Sequence, residues 1–180
     1  MSIEKLQDTI DAFAKEGKSW RARPYAEALL KLLEEQMPQP AVCDAYETLA
    51  TFYVRVRDVR RAYACAQKGA ECARALGDME VEESLLLLGR KCVACLPQRM
   101  KEEMGLGEVR DAFLKVDPVE HTDAFHAVFD EVMEATESRL EKEGDLHIPQ
   151  QRWLIMTEEF ALRGIAWRSP ARMNPRVMFD

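Results

Sequence analysis

The stretch AYETLATFYVRVRDVRRAYACAQKGA, residues 45–70, decides the fold. Apolar side chains recur along it at helical spacing, first in one set and then, after a charged break, in a second. The positions are Tyr46, Leu49, Ala50, Tyr53, Ala62 and Ala66. Two helices that cross closely need small residues at the contact and large ones on either side. The stretch therefore predicts a helical hairpin, and it predicts further hairpins stacked on it because one hairpin cannot bury its own apolar face.

The first-helix pattern of this stretch occurs twice more before residue 97. The downstream copy consists of Leu85, Leu88, Gly89 and Cys92. A weaker upstream copy consists of Ile10, Phe13, Ala14 and Gly17, with Ala26 placed as Ala62 is. The small residues at 14, 50 and 89 give periods of 36 and 39 residues. We expect longer connections between hairpins to account for the excess over the usual period of about 34.

Two glycines inside these predicted helices indicate close helix contacts. Glycine in a helix interior costs about 1 kcal/mol relative to alanine. A close approach of a second helix is the natural explanation for Gly69 and Gly89.

The pattern resembles the tetratricopeptide repeat, whose first helix reads W-x2-L-G-x2-Y and whose second carries a small alanine and an A-x3-F pair. The resemblance covers residues 5–96 and is strongest over 43–96. It departs from the family at Arg57, where a hairpin-turn glycine is expected, and at Lys101, where a second-helix alanine is expected. It implies an all-α fold, a right-handed superhelix of two to three such hairpins with a C-terminal helical cap.

Proline and glycine predict where the helices begin and end, because proline suits the first helical turn and glycine the left-handed stop. The starts are Pro24, Pro40, Pro118 and Pro149, and the ends are Gly17, Gly77, Gly105 and Gly144. At 117–120, Asp117 should cap a helix and Glu120 should reach back to the cap. We expect helices at about 2–16, 24–36, 40–57, 59–76, 79–95, 98–104, 108–115, 118–143 and 150–165.

The domain organisation follows from a change in pattern at residue 97. Residues 1–96 are predicted to form the hairpin array and 97–168 a capping helical region. Residues 169–180, which contain two prolines, should form an extended tail.

Composition narrows the class of protein. The 180 residues are 47% hydrophobic and 32% charged, which is typical of a globular protein. The net charge of -7 argues against a general nucleic-acid binder. The longest conspicuous apolar run, LLLL at 85–88, is far shorter than the roughly 20 residues of a membrane span. With no visible signal peptide and an odd number of cysteines, five, a reducing cytoplasm is the expected location.

The family resemblance implies a non-enzymatic adaptor or chaperone-like module that binds a protein or peptide in a concave groove lined by the first helices. Helical geometry places the groove positions opposite the packing face. They are Lys15, Thr48, Thr51, Arg55, Leu87 and Arg90. The basic members suit an acidic segment or a C-terminal carboxylate, including the chain's own tail, which ends in Asp180. We expect no catalytic residue, metal or cofactor, and two copies of the chain could associate as a homodimer.

Two alternative functions depend on other residues. A metal-binding or redox-sensing module would use four thiols on neighbouring helices: Cys65, Cys72, Cys92 and Cys95. An RNA-associated protein would use the basic segment 160–179, in which arginines surround Trp167. Those arginines are Arg163, Arg168, Arg172 and Arg176.

Overall fold

Helices make up the regular structure of the chain. The computed structural model describes residues 1–106, 114–143 and 149–179. The helices are α1 (Ile3–Lys15), α2 (Arg23–Leu33), α3 (Pro40–Arg55), α4 (Val59–Leu76), α5 (Met79–Ala94), α6 (Gln98–Glu103), α7 (Asp123–Glu143), α8 (Pro149–Leu162) and α9 (Pro170–Met173), with 3-10 turns at Ser19–Ala22 and Pro118–His121. No strand occurs in the described ranges, and the predicted all-α class is confirmed. The right-handed superhelical arrangement stays a prediction.

The chain divides into two compact units. The first consists of Met1–Ala94 with Arg99–Arg110, and the second of Cys95–Gln98 with Asp111–Asp180. The sequence placed a boundary after residue 96, within the stretch where the chain leaves the first unit.

The first unit is built of consecutive helices that pack on their neighbours. Helix α4 contacts both α3 and α5, and α3 contacts α1, α2 and α5. The six positions that define the pattern in 45–70 are all buried: Tyr46, Leu49, Ala50, Tyr53, Ala62 and Ala66. In the upstream copy, Ile10 and Ala26 are buried whereas Phe13 and Ala14 are only half-buried. The weaker pattern therefore corresponds to weaker burial.

The longer second period has a different cause from the one predicted. The connection from α4 to α5 contains only Gly77 and Asp78, so it is not a long loop. The extra length lies in α4 itself, which has 18 residues. A longer helix can carry more small residues on its buried face, and Ala62, Ala66, Gly69 and Ala73 all lie on that face of α4.

Gly69 is the point at which α4 approaches two helices at once. A Cβ atom added there would lie 3.0 Å from Tyr46 Cβ on α3 and 3.0 Å from Leu85 Cδ1 on α5. At Gly89 the nearest atom, Tyr63 Cδ2, would be 3.4 Å away, which is ordinary contact. The close contact predicted at Gly69 is therefore present, whereas Gly89 has room for a methyl group.

Five helix ends share one hydrogen-bonded turn, the Schellman motif, in which a residue with positive φ follows the helix. At the end of α4, the N–H of Gly77 donates to Arg74 O (3.1 Å) and that of Asp78 to Ala73 O (3.0 Å). Among the described residues, four of the five with positive φ are glycines: Gly17, Gly77, Gly105 and Gly164. The fifth is Arg57, at φ 65°, where the tetratricopeptide pattern has glycine. Asp58 then caps α4 by accepting from Arg61 N (3.2 Å), as Asp78 accepts from Val81 N (3.1 Å) for α5.

The second unit is centred on α7 and α8. Along α7, Phe125, Phe129, Val132 and Met133 are buried at helical spacing. Phe125 stacks on Phe160 of α8, with ring centroids 4.8 Å apart. Phe160 in turn contacts Trp167 at 5.3 Å. Aromatic side chains thus link both helices to the segment that follows α8.

The structure differs from the predicted helices at the start of α7. The region predicted as one helix from 118 is a 3-10 turn, Pro118–His121, followed by α7 from Asp123. Thr122 Oγ1 accepts from Phe125 N (3.2 Å) and so caps α7. Glu120 Oε1 accepts a hydrogen bond from Trp167 Nε1 (2.7 Å), so its carboxylate is drawn to the aromatic cluster and not only to a helix cap.

Other differences concern the ends of elements. Residues 114–115 are not helical, and the rest of the helix predicted at 108–115 lies outside the described residues. Gly144, a predicted helix end, also lies outside them. The tail predicted as extended contains the one-turn helix α9.

Across residues 1–106, 114–143 and 149–179, no helix has both the length and the apolar character needed to cross a membrane.

Gly69 and Gly89 make a matched pair for testing the helix contact. We expect Gly69→Ala to lower the free energy of unfolding by about 1–3 kcal/mol, because the new methyl group overpacks two interfaces. Gly89→Ala should leave it unchanged or raise it by up to about 1 kcal/mol, because alanine is the better helix former. Urea denaturation of both variants measures the difference, and equal effects would show that the close approach at Gly69 does not control stability.

Arg57 provides a test of the left-handed turn. Non-glycine residues in this conformation cost about 1–2 kcal/mol. We expect Arg57→Gly to unfold at higher urea concentration than Arg57→Ala, with a difference of about 1 kcal/mol in the free energy of unfolding. The two variants lack the same guanidinium group and differ only in Cβ, so an alanine variant as stable as the glycine one would contradict the assigned strain.

Candidate functional site

The predicted binding positions lie on the alternate helices α1, α3 and α5 of the first unit. Lys15, Arg55 and Arg90 are exposed. Leu87 is 50% exposed. Thr51 is half-buried. Four of the six predicted positions are therefore exposed, and that they form one binding face stays a prediction.

Thr48 has a structural partner on the neighbouring helix. Its Oγ1 accepts a hydrogen bond from Gln7 Nε2 of α1 (3.2 Å) and donates to Asp44 O (3.0 Å). This polar contact joins α1 to α3. Thr48 therefore positions two of the helices that carry the predicted face.

The three exposed cations are not neutralised by the described part of the chain. Lys15, Arg55 and Arg90 take part in none of the ion pairs formed among the described residues. By contrast, Arg61 pairs with Asp58 and Glu27, and Arg74 pairs with Glu82. The cations of α1, α3 and α5 are consequently available to an anionic partner.

Two clefts of the first unit lie away from these six positions. One, of about 480 Å³, is bordered by the end of α2, the start of α3 and the second half of α4. Its lining is Leu33, Glu34, Gln36, Pro38, Val42, Tyr46, Lys68, Glu71 and Cys72. The other, of about 380 Å³, runs along α1 beside Tyr25, whose ring lies 6.0 Å from that of Phe13. Neither cleft is lined by a predicted binding residue.

A pair of thiols lies at the inner edge of the first cleft. Cys43 Sγ donates to Cys72 Sγ at 2.7 Å, and Cys72 Sγ donates to Gln39 O at 3.7 Å. Burial raises the pKa of the Cys43 thiol to about 12, and the hydrogen bond with Cys72 acts in the same direction. Cys43 is not among the cysteines predicted for a metal or redox site, because no short motif connects residues that are 29 positions apart.

The four thiols proposed for a metal site do not form one in the described part of the chain. Among the described residues, no three histidine, cysteine or acidic side chains are grouped so that they could hold a metal ion. Cys65 is buried on α4, and burial raises the pKa of its thiol to about 12. Cys72 is paired with Cys43 instead. Helical rotation accounts for the difference, since adjacency of two helices does not by itself turn their cysteines toward each other.

The basic C-terminal segment is partly neutralised. Arg163 pairs with Glu159 and Glu131, at 2.9 and 3.5 Å. Arg168 donates to both carboxylate oxygens of Asp117 at 3.1 Å, and its backbone N–H donates to Asp117 Oδ2 at 2.7 Å. Two of the four arginines proposed for RNA contact are thus engaged in holding the second unit together.

The described end of the tail lies on α8. The ring of Phe179 meets that of Trp153 edge to face, with centroids 5.3 Å apart, and Gln150 Nε2 donates to Phe179 O at 2.9 Å. Both partners belong to the second unit. Phe179 therefore packs against α8 of the same unit. The Asp180 carboxylate lies outside the described residues.

Comparison with protein-family models, with curated proteins and with solved structures finds no match to this chain. Its function is therefore argued from its own residues.

The Asp117 carboxylate should make the second unit sensitive to acid. Burial raises the pKa of this carboxyl, but the hydrogen bonds from Arg168 and from backbone N–H groups outweigh burial and hold the pKa below its usual value. A lowered pKa gives stability that is present above the unfolded pKa of about 3.9 and is lost as the pH falls through the folded value. We expect the urea midpoint to fall between about pH 5 and about pH 2, and to fall less in Asp117→Asn. Equal falls in both proteins would exclude Asp117 as a contributor.

Proposed function

We propose that this chain is a non-enzymatic binding module that holds an acidic segment of a partner protein against the exposed faces of α1, α3 and α5. The observation that carries the proposal is the set of exposed cations on these three helices, Lys15, Arg55 and Arg90, which form no ion pair within the described chain. We further propose that residues 5–96 form a tetratricopeptide-like array with this face as its groove.

Charge supports an anionic ligand. The protein has a net charge of -7, so acidic side chains outnumber basic ones and could pair with exposed cations. Lys15, Arg55 and Arg90 nevertheless form no ion pair among the described residues. Arginine in particular presents a planar fork of donors that fits a carboxylate in two-point contact. A peptide carrying aspartate, glutamate or a terminal carboxylate satisfies all three groups.

Apolar contact supports a peptide over a free anion. Leu87 lies on α5 one helical turn before Arg90 and is half exposed. An apolar side chain beside a cation matches a ligand that has both an apolar residue and a carboxylate. Burial of such a side chain contributes about 25 cal/mol per Å², which adds affinity that charge alone does not supply at physiological salt.

Helix packing supports a preformed surface. The face lies on helices fixed by the α4 contacts at Gly69 and by the Gln7–Thr48 hydrogen bond. A rigid surface loses little conformational entropy when it binds, which favours affinity.

A charge-reversal experiment tests the proposal. The wild type and Lys15→Glu/Arg55→Glu/Arg90→Glu serve as baits in native lysate, and captured proteins are identified by mass spectrometry. Acidic peptides from each candidate are then titrated against pure protein by fluorescence anisotropy. We expect the triple variant to weaken peptide binding at least tenfold, since several charge-assisted contacts are lost together.

A matched control separates this site from general charge effects. Lys31→Glu/Arg60→Glu/Lys68→Glu makes the same change in net charge on exposed positions of α2 and α4. It should bind the peptide within about twofold of wild type, since screening at about 0.15 M salt limits long-range effects. Equal loss in both variants would refute a site on α1, α3 and α5, and self-association of the wild type abolished only by the first variant would identify a second copy of the chain as the partner.

A further inference from the structure

The thiols of Cys43 and Cys72 meet at the open end of the α3–α4 hairpin. Cys43 lies in the first turn of α3 and Cys72 near the end of α4, whereas the turn that joins the helices lies at 56–58. Their sulfur atoms are 2.7 Å apart. A disulfide bond is about 2.05 Å long, so the two atoms need to approach by only about 0.7 Å to reach bonding distance.

The cleft of the first unit gives a small molecule access to this pair. Cys72 lines the cleft, and its side chain is 6% exposed. Cys43 lies behind it, is 3% exposed and does not line the cleft. A reagent in the cleft therefore meets Cys72 first.

We propose that Cys43 and Cys72 form a reversible disulfide by exchange with a small neutral or cationic disulfide that enters the cleft beside Cys72. The bond would join the start of α3 to the end of α4 and close the hairpin covalently. This modification site is independent of the peptide-binding face and uses none of its residues.

The exchange proceeds in two steps. The Cys72 thiolate attacks one sulfur of the reagent RSSR, forms a mixed disulfide and releases RS⁻. Cys43 then loses its proton to solvent and attacks Cys72 Sγ, which forms the Cys43–Cys72 bond and releases a second RS⁻. Both released thiolates take up protons, so two protein thiols are oxidised by two electrons while RSSR is reduced to two RSH.

The chemistry of the pair sets the order and the speed of these steps. Only the thiolate is nucleophilic. Because the pKa of Cys43 is raised, the second step should be slow at neutral pH and faster in alkali. A mixed disulfide on Cys72 should therefore appear before the internal bond.

The charges around the cleft select the reagent. Glu34 and Glu71 line it together with a single cation, Lys68. The local balance is negative and disfavours an anionic disulfide. Cystamine, which is cationic, should react several-fold faster than dithiodiglycolate at low ionic strength, and the rates should converge at about 1 M salt.

Mass spectrometry of the wild-type protein tests the bond directly. After incubation with cystamine, we expect the thiols of Cys43 and Cys72 to be lost together with two hydrogen atoms of mass, counted apart from any cysteamine adduct on Cys95, which is the more exposed thiol. Peptide mapping without reductant should give one cross-linked species joining the peptides that contain Cys43 and Cys72. Dithiothreitol should restore all five thiols.

Three variants distinguish the order of reaction. Cys43→Ala should stop at the mixed disulfide on Cys72, and Cys72→Ala should leave Cys43 unmodified. Cys65→Ala, the matched control, should still form the internal bond. A disulfide mapped to another pair such as Cys92–Cys95, or five thiols still free after prolonged exposure, would overturn the proposal.

A stability measurement checks the result without a variant. Closing the loop between residues 43 and 72 should raise the Tm of the wild type by roughly 5–10 °C on oxidation, and reduction should reverse the rise. An unchanged or lowered Tm in protein that carries the mapped bond would show that α3 and α4 must move apart to form it, contrary to the proposed geometry.

Discussion

The first unit depends on the close approach of α4 to its two neighbours at Gly69. At this position the backbone of α4 lies so close to Tyr46 of α3 and Leu85 of α5 that an added methyl carbon would be 3.0 Å from each. The side chains of Tyr46 and Leu85 pack on the backbone of α4 at Gly69, which has no side chain of its own. The three helices therefore come close enough to bury the alanines of α4. The positions of α3 and α5, and with them the exposed faces of Arg55 and Arg90, follow from that contact.

Polar groups organise the second unit in a comparable way. Asp117 precedes a 3-10 turn and Glu120 lies within it, and their carboxylates accept hydrogen bonds from Arg168 and Trp167, which are 51 and 47 residues later. A buried carboxylate is costly unless it is hydrogen-bonded, so these contacts hold the segment after α8 against the start of α7. The same requirement accounts for part of the arginine-rich C-terminal segment, because Arg163 and Arg168 pair with the carboxylates of Glu159 and Asp117 within the second unit.

Local signals in the sequence predicted where many of the helices begin and end. Contacts between residues that are far apart in the sequence could not be predicted from those signals. Pro40 and Pro149 begin helices and Gly77 ends one because each acts through its own backbone geometry. Glu120 was assigned to a helix cap from its spacing, yet its partner Trp167 lies 47 residues away. The Cys43–Cys72 contact depends on how two helices are rotated about their axes, and a single sequence contains no local signal for that rotation. The cations of the candidate face were predicted to be exposed from helical periodicity alone, whereas the tie between Thr48 and Gln7 required the packed structure.

The turns on either side of α4 have one further consequence. A left-handed residue followed by a capping aspartate joins α3 to α4 and joins α4 to α5, with Arg57–Asp58 in one turn and Gly77–Asp78 in the other. The connection between α3 and α4 and the connection between α4 and α5 therefore have the same backbone conformation and the same type of cap. From residue 40 to residue 94 the two connections give the chain no intrinsic repeat boundary, and a stack of helices joined in this way could lengthen by one helix at a time instead of by pairs.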